Sequence, residues 1–273
     1  MASRRDALKI AAAAGMAASQ NLQTASAQTA GSTFVLVHGA WSGGYIWRRV
    51  ADRLRKNGHT VFTPTNTGLA DRAHLLSKNI TIDTFVKDVT GVFEAEELSN
   101  VILVGHSFGG NTITGVADVI PEKIRHLVYL DSLLPQPGKS VLDALPPEVA
   151  AERRKISQET SGGLSLPGAP AEVLRISMGL SDDADLAWLV RRGTPHPMGT
   201  YETPVILKNP IGNNLPRTYI ACTNPVLAVT KGSKQWVQSQ QGWGWLEIAT
   251  GHAAQVTAPD ELTGMLQKIA AGA

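Results

Sequence analysis

The chain has 273 residues, 43% of them hydrophobic and 18% charged, with a formal net charge of +2. That length fits one large domain or two small ones, and that composition excludes a disordered chain. With no long basic run, nothing points to a nucleic-acid surface. A single cysteine, Cys222, excludes an internal disulfide and any cysteine-rich metal site. The seven histidines are scattered without ligand spacing, so neither a metal nor another cofactor is expected.

The first segment in chain order is MASRRDALKIAAAAGMAASQNLQTASAQ. Paired Arg4 and Arg5, an alanine-rich stretch and Ala25-Ser26-Ala27 have the layout of a cleavable export signal over residues 1–27. SRRDALK resembles the twin-arginine motif, which implies passage of an already folded protein across a bacterial inner membrane. The stretch shows no amphipathic face that would make it a first helix of the domain, and it is too short for a lasting membrane anchor. Cleavage would remove three bases and one acid and bring the formal charge near zero. The expected location is the periplasm or the exterior, which suits a lone cysteine.

Residues 28–273 are expected to form one domain. TFVLVHGA reads as a buried strand, and GGYIWRRVADRLRKNG as a helix with Ile46, Val50 and Leu54 on one face and Gly58 at its end. HTVFTP is a second strand, and ITIDTFVKDVTGVFEAEEL a helix opened by Thr81 or Asp83. NVILVGHS is a third strand, followed by a helix from Gly109, and KIRHLVYLDS is a fourth. From about 133 to 214 the rhythm breaks into three helical pieces (PPEVAAERRKISQ, PAEVLRISMG, DDADLAWLVRRG) with no clear strand, as in a lid laid over the sheet. The alternation resumes with strand PRTYIACT, a helix near KGSKQWVQSQ, strand WGWLEIAT and a closing helix PDELTGMLQKIA. Apolar strands alternating with helices predict an α/β fold with a mostly parallel sheet covered on both faces.

VILVGHSFGGNTI runs an apolar strand into a serine flanked by glycines and then into a helix. A serine hydroxyl is a weak nucleophile that needs a base, an acid to orient the base, and donors for the developing oxyanion. In a parallel sheet those groups belong beyond the carboxyl ends of the strands. Ser107 stands at one such end, between Gly105 and Gly109, where side chains would collide across the turn. His252 stands at another, after WGWLEIAT, and Asp131 at a third, after HLVYL. Gly39 and Ala40 follow a fourth, where a backbone N–H can join that of Phe108 in facing an oxyanion.

FVLVHGAWSGGYIW, TGLADRAHL, GHSFGG, HLVYLDSLLPQPG and TGHAAQVTAPDEL together resemble the α/β-hydrolase superfamily, in the branch of small esterases related to plant methylesterases and hydroxynitrile lyases. The resemblance covers residues 33–273 and is weakest in the lid. It implies Ser107 as nucleophile, His252 as general base and then acid, and the amides of Ala40 and Phe108 as oxyanion hole. Members of this branch commonly carry the acid in a C-T-x-D stretch. Here Cys222-Thr223-Asn224-Pro225 offers no carboxylate. Other α/β-hydrolases place the acid one strand earlier, where this chain has Asp131; alternatives are that Asp131 only caps the turn, and that Glu202 from the lid serves instead.

Trp41, His106, Trp188 and His196 are the candidates for the substrate pocket, with His106 read first as a packing or polar-network residue. His38 is expected to fix the oxyanion loop, and Asp71-Arg72 to form a structural ion pair. The expected activity is hydrolysis of a small-molecule carboxylic ester or lactone through an acyl-enzyme. Two rivals are a hydroxynitrile-lyase-like carbon–carbon cleavage and a binder of small ligands without catalysis. The lyases typically carry a threonine in the oxyanion loop and a lysine directly after the histidine. Gly39 and Ala253 stand there, and both departures favour hydrolysis.

Overall fold

The computed structural model describes residues 31–273, so the expected export signal at 1–27 lies outside the described residues. Strand β1 (Thr33–Val37) sends Phe34 and Leu36 into one core and Val35 and Val37 into another. A strand buried on both faces needs apolar side chains of either parity, which is why FVLV shows no polar alternation. The expected first helix divides into a short 3-10 turn, Gly44–Trp47, and α1 (Arg48–Lys56), which buries Val50, Ala51 and Leu54. Gly43 and Gly44 are poor helix formers, so the α-helix starts later than the apolar spacing suggests.

Strand β2 (Thr60–Phe62) precedes α2 (Ile82–Ala95), where Thr84 Oγ1 accepts from the Thr81 amide at 3.1 Å and marks Thr81 as the cap. Strand β3 (Val101–His106) is buried at every residue and runs into α3 (Gly109–Val119), and β4 (Ile124–Leu130) follows. After the insertion come β7 (Arg217–Cys222), α8 (Lys231–Ser239) and β8 (Gly244–Ile248). The chain closes with α9 (Ala254–Thr257) and α10 (Pro259–Gly272).

These six strands pair in parallel in the order β2-β1-β3-β4-β7-β8. The chain leaves β1 first toward β2 and then returns to place β3 on its other side. Crossover loops therefore diverge between the carboxyl ends of β1 and β3, and that divergence opens a crevice. One core packs α1 and α10 against the sheet, and the other packs α2 and α3 against the opposite face.

The insertion between β4 and β7 contains the three expected helices, α4 (Pro147–Ser161), α5 (Ala171–Met178) and α6 (Asp183–Arg192). It also contains an antiparallel pair, β5 (Ser165–Leu166) with β6 (His196–Pro197), and a short helix, α7 (Met198–Glu202). The expectation of no strand there is thus corrected. Two-residue strands far apart in sequence leave no periodicity to read. Phe85, Phe108, Met198 and Tyr201 share a third core that seats the insertion on the sheet domain. No helix among the described residues is long and apolar enough to cross a membrane.

Candidate active site

Between the end of β3 at His106 and the start of α3 at Gly109, Ser107 and Phe108 reverse the chain. Ser107 has φ +53°, a left-handed conformation that costs a non-glycine residue roughly 1–3 kcal/mol. Its surroundings hold it there: its amide donates to the Leu130 carbonyl at 3.1 Å, and its carbonyl accepts from Leu133 at 2.9 Å and Gly110 at 3.0 Å. The turn also needs bare backbone beside it. A Cβ on residue 105 would lie 2.7 Å from the Gly109 carbonyl oxygen, and one on residue 109 would lie 2.7 Å from that of His38.

Asp131 extends β4 by one residue, donating its amide to the Ile220 carbonyl at 2.8 Å, and then turns at φ +43°. Its fully buried carboxylate divides its oxygens between two sets of partners. Oδ2 accepts from His252 Nδ1 at 2.6 Å. Oδ1 accepts from Lys234 Nζ at 2.7 Å and from the Cys222 amide at 3.2 Å. Burial opposes the charge, but the bonds from His252 and Lys234 outweigh it and hold the carboxyl below its ordinary pKa. Since His252 Nδ1 donates to Asp131, Nε2 is left as the ring's free acceptor.

His252 is fixed by its own backbone as well. Its carbonyl accepts from His106 Nε2 at 2.8 Å, and the next amide, Ala253, donates to the Met178 carbonyl at 3.3 Å. Gly251 and Gly179, at the end of α5, touch backbone to backbone. A Cβ on Gly251 would lie 2.5 Å from Gly179 Cα.

At the end of β1, His38 donates through Nδ1 to the Gly39 carbonyl at 2.7 Å and accepts the Asn66 amide on Nε2 at 3.0 Å. The expected bracing of this loop by His38 is present. The amides of Ala40 and Phe108 donate to no protein acceptor among the described residues. Trp41, at φ +60°, ties the loop to the insertion: its indole donates to the Leu166 carbonyl at 2.9 Å and its carbonyl accepts from Thr194 at 3.0 Å.

Ser107, His252, Ala40, Phe108, Trp41 and His106 border one cavity of about 580 Å³, with Asp131 behind His252. His106 touches the cavity with both nitrogens engaged, Nε2 by His252 and Nδ1 by the Gln255 amide at 3.1 Å. Burial lowers the His106 pKa to about 3 and that of His38 to about 4, and both rings stay neutral.

Two expected pocket residues do not reach the cavity. Trp188 packs edge-on against Tyr45, which forms the wall in its place. His196 is fully buried, accepting the Trp41 amide on Nδ1 at 3.3 Å and bonding Thr200 Oγ1 at 2.8 Å. Its Nδ1 joins the insertion to the loop after β1, and its Nε2 is used within the insertion. The Asp71-Arg72 pair is also corrected: Arg72 reaches Asp88 of α2 at 2.9 Å. Asp71 and Arg72 are neighbours in a 3-10 turn, Ala70–Leu75, and point apart, whereas Asp88 lies within reach of Arg72. Glu202 is exposed and faces Arg154 at 4.0 Å, and Asn224 is exposed as well.

Lys234 was not anticipated. It lies on the buried face of α8 with Val237, and its ammonium also donates to the Cys222 carbonyl at 2.7 Å. A lysine three residues from a valine, on the same face of the helix, was the available sign.

The alpha/beta hydrolase family profile matches residues 34–264. A carbendazim-hydrolyzing esterase of Nocardioides sp. (strain SG-4G) is 42% identical over 243 residues, 86% of this chain and 98% of the relative. An alpha-hydroxynitrile lyase of Arabidopsis thaliana is 36% identical over 103 residues, 37% of this chain and 40% of the relative. Among solved structures, an extracellular alpha/beta-hydrolase from a Paenibacillus species superposes with a TM-score of 0.74 at 25% identity, covering 87% of this chain and 98% of its own. The family profile spans nearly the whole described domain, and the six-stranded parallel sheet has the matching architecture, so this chain belongs to the alpha/beta hydrolase family and is an enzyme of its esterase branch.

Proposed function

We propose that this enzyme hydrolyses carboxylic esters through an acyl-enzyme formed on Ser107. The Ser107 hydroxyl attacks the ester carbonyl while His252 Nε2 takes its proton, and Asp131 holds the ring and stabilises the imidazolium. The amides of Ala40 and Phe108 receive the oxyanion. As the tetrahedral intermediate collapses, His252 returns the proton to the departing alcohol. Water then enters and adds to the acyl carbonyl as His252 takes its proton; collapse breaks the bond to Ser107 Oγ, His252 returns the proton to that oxygen, and the acid leaves. The observation that carries this reading is the 2.6 Å bond from His252 Nδ1 to Asp131 Oδ2, made behind a cavity that Ser107 and His252 both border.

The cavity wall is mostly apolar, with Ile46, Leu174, Met178 and Leu189 among its lining, which favours an aromatic or medium-chain substrate group. Carbendazim is included as a candidate because the Nocardioides relative is described as hydrolysing it. The lyase reading is less favoured. Any side chain on residue 39 would come within 2.8 Å of Ser107 Cβ, which leaves no place for a threonine in the oxyanion loop.

The test is a chromogenic ester panel of graded acyl length, with carbendazim, run on the wild type, on Ser107→Ala and after treatment with a serine-directed phosphonate. Ser107→Ala should keep its melting temperature and lose turnover on the order of a thousandfold or more. Near-normal turnover in that variant would overturn the proposal. Export of the folded protein through residues 1–27 is likewise proposed. Changing Arg4 and Arg5 to Lys together should retain the precursor in the cytoplasm, and finding the uncleaved chain in the periplasm would contradict it.

A further inference from the structure

Burying an ammonium beside a carboxylate is a weak way to gain stability. Desolvation of the two ions offsets most of their attraction, and an apolar pair of the same shape often does as well. Lys234 nonetheless has its side chain only 11% exposed, with Nζ 2.7 Å from Asp131 Oδ1. It contacts the oxygen that His252 does not use. We infer that Lys234 is a positioning residue for the catalytic pair: it holds Asp131 from the side opposite His252 and, by offsetting the carboxylate's charge, sets the pH above which His252 is free to act as base.

The charge around the pair can be followed element by element. From β3 comes His106, its ring 4.6 Å from that of His252 and both nitrogens bonded, and it is neutral. From β7 come Cys222 and Tyr219, a thiol and a phenol whose ionisation burial suppresses. From the loop after β8 comes His252 itself, and from α8 comes Lys234. Among these groups Lys234 supplies the permanent positive charge. An isolated buried carboxylate would stabilise the imidazolium strongly. With the ammonium in contact, Asp131 and Lys234 together are close to neutral, so the carboxylate's pull on an imidazolium is weakened while Oδ2 still fixes the ring's tautomer. Asn224 and Pro225 offer no carboxylate after β7, and Lys234 of α8 lies instead against the one that Asp131 presents at the end of the neighbouring β4.

This inference rests on the Ser107–His252–Asp131 reading, whose own failure would show separately as turnover surviving in Ser107→Ala. The experiment is the pH profile of kcat/KM on a neutral ester for wild type, Lys234→Met, Lys234→Gln and Lys234→Arg. Removing the charge should move the acid limb upward by about one pH unit in both the Met and Gln variants. Gln, which keeps a donor, should lose less kcat than Met, and Arg should leave the limb in place. If Met fails to fold, Gln carries the measurement. Folded variants whose rates fall by the same factor at every pH, with an unmoved limb, would reduce Lys234 to a structural residue and overturn the inference.

Discussion

At the carboxyl ends of β1, β3, β4 and β8 the groups around the cavity are buried or half-buried and their backbone is held by neighbouring strands and side chains. The Ser107 amide is held by β4, Asp131 by β7, and the His252 carbonyl by His106. On the other side of the cavity, α5 buries none of its residues, and Val173, Ile176 and Val190 are 51%, 72% and 46% exposed. The two regions serve different demands. Reacting groups tolerate errors of only a fraction of an ångström, so they stand on strand ends fixed by a ladder. A wall that gives the pocket its shape can be built from marginally packed helices, because apolar contact is not directional.

The sharpest test of that contrast sets a carboxylate of the strand ends against one of the insertion. Asp131→Asn keeps the size of the side chain and loses its charge, and it should reduce turnover about ten-thousandfold. Glu202→Gln, on α7, should leave turnover within a factor of two or so, as expected of an exposed charge. Both are read as kcat on one ester, with thermal melting as the folding control. A folded Asp131→Asn enzyme losing less than tenfold would remove Asp131 from the catalytic set.

The junction between the two regions gives the next largest effect. Gly251→Ala would place a methyl 2.5 Å from both Gly179 Cα and the Met178 carbonyl oxygen. One backbone has to move, either the loop carrying His252 or the end of α5. A shift approaching 1 Å at His252, the proposed base, should cost on the order of a hundredfold in turnover. If kcat is unchanged while KM rises, the insertion has yielded and the strand ends have not.

The smallest effect is on stability. His38 and His106 at the strand ends and His196 in the insertion are all held below their unfolded pKa by burial. Such a group favours the folded state fully above pH 6.5, and the advantage fades as pH falls from there toward the folded-state value, about 4 for His38 and about 3 for His106. Each contributes a slope of roughly 1.4 kcal/mol per pH unit within its window. The melting temperature should therefore fall between pH 6.5 and pH 4.5, and His106→Gln should flatten that fall by about one proton's share. A melting temperature independent of pH over that interval would contradict the neutral state assigned to these rings.

Much of this was legible because the signals are local. The central strands β1, β3 and β4 are largely apolar runs, with Gly39, Ser107 and Asp131 close behind their last residues. The Ser107 elbow announces itself through Gly105 and Gly109, which flank the serine closely enough in sequence to shape a single turn. Trp188, on α6, and His196, on the two-residue β6, were harder to place, because neither a lone aromatic on a helix nor so short a strand carries a sign of which wall it forms. The pairing of Arg72 with Asp88 was hidden for a similar reason. Ion pairs follow which elements pack together, and sequence neighbours in a tight turn diverge.

By itself the sequence determined the alternating sheet, the turn that raises Ser107, and the placing of His252 and Asp131 at strand ends. Each depends on periodicity or on the backbone freedom of a few adjacent residues. Only the tertiary structure decided that Asp131 meets His252 at 2.6 Å, that Lys234 stands behind it, and that Gly179 presses on Gly251. Those contacts join residues far apart in the chain, and their distances follow from strand order, the turn at Asp131 and the packing of α5 and α8. No local preference encodes such terms.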